Sequence, residues 1–356
     1  MDLPDPLQGL ESVLSGIGGA DQTARVRRGM WLHATLPRPP VGTTPHTVIH
    51  RQDKLEVRYY APVGSERLAP VVVVPSLINR AYVCDLEPDR SLVGGLAKLG
   101  HPVYLVDWGI PGPEDADEGV AYILLTLLHR SVVRACHHAR AEKVMLLGYC
   151  QGGTLAAMYT ALRPQKVGAL SCLATPVDFT EGGRFSDFAN AGDVASVIGP
   201  DGLVDIDVMS SAFKLLDPMG NVSKYMALEA ASKDPRTLAR TLARERWLEE
   251  NVPLPGRFAV EFITNAYREN RLLAGTWEVD GERVDLGSIR CPVLVTPCAK
   301  DFIAPPEACA PLADVVGSED VTLEMLSSGH IGCVVGGFGP KVYYPMLDRW
   351  FRQVQA

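Results

Sequence analysis

Gly148-Tyr149-Cys150-Gln151-Gly152-Gly153 constrains this chain more than any other stretch. It follows the apolar run Val144-Met145-Leu146-Leu147 and precedes a helix-compatible segment from Thr154 to Leu162. A strand, a G-x-C-x-G turn and a helix in that order make a nucleophile elbow, with cysteine where serine is usual. The flanking glycines keep Cβ atoms out of a strained turn crowded by its neighbours. Such a turn lifts the sulfur above the sheet edge and aims the following backbone N–H groups at an incoming carbonyl oxygen. Alone, the motif is a weak signal, because a buried cysteine beside glycine usually just packs.

The rest of the chain supplies the test. An elbow nucleophile is followed in chain order by an acid after a later strand and a histidine after the last one. Cys291-Pro292-Val293-Leu294-Val295-Thr296-Pro297 reads as a buried strand, and Asp301 lies just beyond it. Val321-Thr322-Leu323-Glu324-Met325-Leu326 is the next strand-like run, and His330 follows. In isolation, Asp301 is a solvated loop carboxylate and His330 a loop histidine. In this order behind the elbow, Cys150, Asp301 and His330 read as a catalytic triad.

At 356 residues and 47% apolar content, the chain can bury a large core. A net charge of -8 argues against nucleic acid as a partner. The opening Met1-Asp2-Leu3-Pro4-Asp5 is acidic and proline-broken, unlike a secretory signal. No apolar run approaches the roughly 18–20 residues of a membrane span. A reducing, cytoplasmic compartment is therefore expected. Eight scattered cysteines fit that view, with no C-x-x-C pair and no Cys/His ligand spacing, so no metal and no cofactor are expected. His137-His138, followed by Arg140 and Lys143, reads as a polar helix face.

Strand and helix signals alternate from Thr47 onward. Thr47 to His50 and Leu55 to Tyr60 read as an antiparallel pair around Gln52-Asp53-Lys54. Val71 to Val74, Val103 to Asp107, Val144 to Leu147 and Leu170 to Leu173 read as buried strands, with helices at Ser91 to Leu99 and Val120 to His138. That alternation predicts an α/β-hydrolase fold with a mostly parallel, doubly wound sheet. Residues 1–45 read as a peripheral lead-in, helical from Ala24 to Trp31, and residues 46–177 and 286–356 as the core. Residues 178–285 read as a helical cap insertion, with helices at Phe185 to Ile198, Leu203 to Leu216, Ser223 to Ala231 and Pro235 to Trp247. Caps exclude water and shape substrate access. Val342 to Val354 is a terminal helix with one packing face.

Several segments besides the elbow carry a family likeness. Val74-Pro75-Ser76-Leu77-Ile78-Asn79-Arg80, Val106-Asp107-Trp108-Gly109, Thr175-Pro176-Val177-Asp178-Phe179 and Gly329-His330-Ile331-Gly332 occur in the family's order. From about residue 45 onward the chain resembles the polyhydroxyalkanoate synthases, and specifically the short catalytic subunits of the two-component kind. It departs from the family in one visible place: Asp301 is followed by Phe302, where histidine is common.

The resemblance implies a reaction. (R)-3-hydroxyacyl groups, expected to be short-chain such as 3-hydroxybutyryl, would pass from coenzyme A thioesters through an acyl-Cys150 into polyester, releasing CoA. His330 would act as base and Asp301 as its partner, either orienting the imidazole or assisting the hydroxyl directly. The backbone N–H groups of Gln151 and Ile78 are the expected oxyanion donors. A second synthase subunit, self-association and a polyester granule surface are the implied partners. The alternatives are an acyl-CoA thioesterase or a single-transfer acyltransferase using the same triad, and, in a different class, a non-catalytic scaffold.

Overall fold

The computed structural model describes residues 20–66, 68–208, 210–211 and 220–355. The chain divides into two compact units, Val41–Ala212 with Glu250–Ala356, and Met1–Pro40 with Phe213–Glu249.

The larger unit is built on eight strands: β1 (Thr47–Gln52), β2 (Leu55–Tyr60), β3 (Val71–Val74), β4 (Val103–Asp107), β5 (Val144–Tyr149), β6 (Val167–Leu173), β7 (Val293–Thr296) and β8 (Val321–Leu323). Their order across the sheet is β1-β2-β4-β3-β5-β6-β7-β8. From β4 to β8 every pairing is parallel; β1 and β2 are antiparallel to each other, and β2 to β4. Parallel strands lie under helices on both faces, so they should be apolar throughout. Every residue of β3, β4 and β5 is buried. The β1–β2 turn places Asp53 at φ 51°, a conformation that aspartate tolerates better than most residues. The chain reverses its winding direction at β3, so the loops after β3 and β5 face each other across a crevice at the carboxyl ends of the strands.

The Gln151–Leu162 helix follows the elbow directly and is buried from Gly152 to Thr160. Its buried stretch covers every side of the helix, with the Thr154 and Thr160 hydroxyls bonded to backbone carbonyls, as suits a helix enclosed by neighbours. The long helix expected over Val120 to His138 forms in two parts. A π-helical stretch, Tyr122–Leu128, leads into the α-helix His129–Ala139. The terminal helix, Tyr344–Gln355, buries Tyr344, Leu347, Trp350 and Phe351 on one face.

Between β6 and β7, this unit holds the helix Gly183–Ala191, a short turn at Val194–Val197 and the helix Gly256–Phe262, which continues as a π-helix over Ile263–Arg268. Leu203–Val204, expected to open a helix, instead pairs antiparallel with Leu254–Pro255. Part of that expected helix, at Met209 and residues 212–216, lies outside the described residues. Phe179 packs edge-on against Phe262 and Tyr267, and Asn270 bonds both the Phe179 N–H and the Asp178 carboxylate at 3.0 Å. The return segment is fastened to the loop after β3. Asn79 Nδ2 donates to Asn251 Oδ1 at 2.7 Å, the Val252 N–H to the Ile78 carbonyl at 3.3 Å, and Tyr82 to Glu250 at 2.7 Å.

In the smaller unit, the helix Ala20–Thr35 packs on Gly220–Ala231, and Pro235–Glu249 completes the group. The approach is close enough that a Cβ on Gly29 would collide with the Tyr225 backbone. Glu245 is 3% exposed and compensated by Arg244 at 2.8 Å and Lys224 at 3.8 Å. Among the described residues, no helix is long and apolar enough to cross a membrane.

Candidate active site

The end of β5 turns sharply into its helix at Cys150, whose backbone sits at φ 55° and ψ -130°. Few non-glycine residues adopt that conformation, and it persists only where surrounding bonds hold it. Here the Cys150 N–H donates to the Leu173 carbonyl at 2.9 Å, and the Cys150 carbonyl accepts from the Gly153 N–H at 2.8 Å. The glycines of the motif answer to sterics. A Cβ on Gly148 would strike Gly153, one on Gly152 would run into the Val74 and Pro75 carbonyls, and one on Gly153 would overlap the Thr175 hydroxyl. The elbow closes only because these three backbones can touch.

Asp301 and His330 arrive from the loops after β7 and β8. The two loops are stitched together by the Ala299 N–H to the Leu326 carbonyl and the Lys300 N–H to the Ser328 carbonyl, both at 2.9 Å. One Asp301 oxygen accepts the Ile303 and Ala304 N–H groups at 2.9 Å each. The other meets His330 Nδ1 at 2.7 Å. Asp301 is 6% exposed, so the orientation of its carboxylate is set by these three nitrogens instead of by water. The His330 carbonyl in turn accepts from the Tyr149 hydroxyl and the Cys333 thiol, each at 3.1 Å.

With Nδ1 committed to Asp301, the other imidazole nitrogen is left for Cys150, and the two groups lie near enough for each to shift the other's ionisation. Burial pushes the Cys150 thiol up, but the His330 charge and hydrogen bond, the Ser76 hydroxyl and the Gln151 N–H outweigh it, and the pKa falls below 9.0. For His330, burial favours the neutral ring, while the Cys150 sulfur and the bond to Asp301 favour the cation and prevail, raising it well above 6.5. The two shifts run in opposite senses, towards thiolate on one group and imidazolium on the other, the direction in which a thiol becomes more reactive. The three residues that chain order singled out thus stand within reach of one another.

The opposite side of the elbow is bounded by the loop after β3. Trp108 Nε1 donates to the Pro75 carbonyl at 2.9 Å, and the Leu77 N–H donates to the Gln151 side-chain oxygen at 3.1 Å. Gln151 therefore points its side chain to that loop, while its N–H helps to lower the Cys150 thiol. Ile78 follows on the same loop.

Three residues at this site escaped sequence reasoning. The Ser76 hydroxyl helps to lower the Cys150 thiol, Tyr149 braces the histidine loop, and Tyr267 comes near enough for the Cys150 charge to help raise its pKa, after burial. No spacing rule marks a serine after proline or a tyrosine in an irregular helix. The one available signal was local: Ser76 and Tyr149 lie inside the quoted motifs. The eight cysteines are all free, and only Cys150 and Cys291 are not fully buried.

Two family models match the chain. One, described as "Protein of unknown function (DUF3141)", covers residues 67–324, and the other, "Poly-beta-hydroxybutyrate polymerase (PhaC) N-terminus", covers residues 35–95. Among curated proteins, the poly(3-hydroxyalkanoate) polymerase subunit PhaC of Allochromatium vinosum is 32% identical over 340 residues, covering 94% of this chain and 95% of its own. The PhaC subunit of Haloarcula marismortui is 31% identical over 325 residues, covering 88% of this chain and 68% of its own. That of Synechocystis is 31% identical, with coverages of 88% and 86%. Among solved structures, a monoacylglycerol lipase from Paleococcus ferrophilus superposes with a TM-score of 0.50 at 16% identity, covering 85% of this chain and 100% of its own. A structure described under two metagenome-derived lipolytic enzymes, LipS and LipT, gives 0.50 at 14%, covering 83% and 97%. At such identities the likeness is one of fold, and the fold is the α/β-hydrolase.

Proposed function

Because the chain belongs to the poly(3-hydroxyalkanoate) polymerase PhaC family, we propose that it polymerises (R)-3-hydroxyacyl groups from coenzyme A thioesters, through an acyl-cysteine at Cys150. Membership makes it an acyltransferase. The short-chain substrate, the residue roles and the partners are our reading, and one observation carries the roles: His330, whose Nδ1 is held by Asp301 at 2.7 Å, lies near enough to Cys150 to lower its thiol.

In this reading the Cys150 thiolate attacks the thioester carbonyl. The C–S bond to CoA breaks, and the departing sulfur takes the proton from the His330 imidazolium. Transfer between thioesters is nearly thermoneutral, so the acyl group remains reactive on Cys150. The 3-hydroxyl of a second unit then attacks, its proton passes to His330, and the Cys150 thiolate returns. Asp301 supports an orienting role, since one oxygen faces Nδ1 while the other is occupied by two backbone N–H groups. The Gln151 and Ile78 N–H groups would receive the oxyanion; losing one such donor typically costs roughly two to three powers of ten in rate. Residues 178–285 would serve as the cap that keeps water from the acyl-cysteine. The word "subunit" in the relatives' names favours a second subunit for this chain as well, with self-association and growth on a granule surface.

The test is to supply 3-hydroxybutyryl-CoA and identify the product. Polymer with stoichiometric CoA supports the reading, while free 3-hydroxy acid with CoA would make the chain a thioesterase.

A further inference from the structure

The His330 carbonyl is where two elements meet. From the elbow side the Tyr149 hydroxyl donates to it at 3.1 Å, and from the short helix Gly332–Val335 the Cys333 thiol donates at the same distance. A carbonyl oxygen has two lone pairs, so two side-chain donors saturate it. Tyr149 also lies against the imidazole itself, with ring centroids 5.3 Å apart and planes tilted by 35°. It is 3% exposed and ends β5, one residue before Cys150. Burial above all pushes its hydroxyl well above 10.0, so it stays protonated and remains a donor at any working pH. Asp301 fixes the imidazole at Nδ1, and a ring held at one atom still shifts with its backbone.

We propose that Tyr149 is a positioning residue for the base: its hydroxyl, together with the Cys333 thiol, pins the His330 backbone and so keeps the imidazole in place beside the elbow. The inference rests on Cys150 being the nucleophile and His330 its base. A buried tyrosine hydroxyl needs an acceptor in any protein, and many carbonyls would serve. This carbonyl belongs to the base, and the donor belongs to the residue next to the nucleophile. Base and nucleophile are thereby tied through one side chain, a far shorter route than the sheet and the loops after β7 and β8. The tie matters because acyl transfer tolerates little error in position: a misplacement of about 1 Å can cost about 10²-fold in rate. Removing the Tyr149 hydroxyl alone leaves the Cys333 thiol on the carbonyl, so the first loss is modest. Removing both donors frees the backbone that carries the ring.

The experiment compares the full chain with its Tyr149→Phe variant, which keeps the ring and loses only the hydroxyl. Two readouts are taken: single-turnover CoA release from 3-hydroxybutyryl-CoA, and the pH dependence of Cys150 alkylation by iodoacetamide with the labelled peptide identified. Acylation at saturation should slow by roughly three- to tenfold, the size of one neutral hydrogen bond, while the half-saturating substrate concentration stays unchanged. The alkylation inflection should move to higher pH, because an imidazolium that strays lowers the thiol less. Adding Cys333→Ala should cost more than the product of the two single changes, since each donor partly covers for the other. If Tyr149→Phe fails to fold, Tyr149→Met is read in its place, with the same directions expected. A lowered Tm with an unmoved inflection, or unchanged acylation, would make the tyrosine purely structural and leave the nucleophile standing. A double variant that only multiplies the single effects would separate the two donors and overturn the shared brace. Label on another cysteine would overturn both the brace and the nucleophile.

Discussion

Cys150 and His330 each move the other's ionisation, and the direction of each shift fixes the behaviour of the pair in pH. The thiol is lowered from 9.0 and the imidazole raised well above 6.5, so each group widens the pH range over which the other keeps its charge. Alkylation of Cys150 should therefore inflect below the ordinary thiol pKa, and His330→Ala should move that inflection upward by removing the charge that opposes burial. An alkylation profile centred at or above 9 in the wild type would exclude the pair. Asp301 acts one step away. Asp301→Asn keeps the shape but favours the wrong tautomer, a change that has cost about 10⁴-fold in a triad of this kind. Single-turnover acylation should survive slowly in Asp301→Asn and be lost in Cys150→Ala and His330→Ala, measured as CoA release. These three residues could be read from the sequence because chain order is a rule of topology. The Tyr149 brace could not, because its hydroxyl meets the His330 carbonyl only through the fold, and no spacing marks that contact.

At the scale of elements, the legible parts were those with a long, one-sided or fully buried pattern. The valine run of β3 and the apolar β5 announced buried strands, and the terminal helix announced its single face. Leu203–Val204 did not, since two residues contain no period and their strand exists only through pairing with Leu254–Pro255. The π-helical openings at Tyr122–Leu128 and Ile263–Arg268 were hidden for a related reason: a one-residue change in helical winding leaves the apolar pattern almost intact. The elbow makes an element-scale prediction. Gly153→Ala would drive a methyl into Thr175 where three backbones meet, and should lower stability by roughly 1–3 kcal/mol or more, seen as a reduced Tm. Glu118, just before the Tyr122–Leu128 stretch, makes another. Burial, then the Asp115 and Asp53 charges, raise it to about 7 from 4.5. A raised acid favours the folded state while both forms are protonated, and that contribution is lost as pH climbs from 4.5 through about 7. Glu118→Gln should thus match wild type in Tm at acid pH and exceed it at pH 8, an advantage that thermal melts would detect.

At the scale of the molecule, a polymerase must admit a thioester, exclude water and let a growing chain leave. A partner subunit that binds one conformation better than another can bias this cycle only by its differential affinity. The isolated chain should show a lag in CoA release that a second subunit shortens, with self-association followed by light scattering; full activity without lag or partner would refute the two-component reading. The fastening of Glu250, Asn251 and Val252 to the loop that carries Ile78 bears on the same cycle. If substrate enters by way of this segment, access and chemistry share one hinge. If the return segment swings out, it drags the Ile78 peptide with it, and the pocket that would polarise a carbonyl comes apart as the solvent arrives. An acyl-cysteine exposed in that way is chemically idle. Chain length would then be governed by an interlock, and loosening it with Asn251→Ala should raise the ratio of free acid to polymer and shorten the chains.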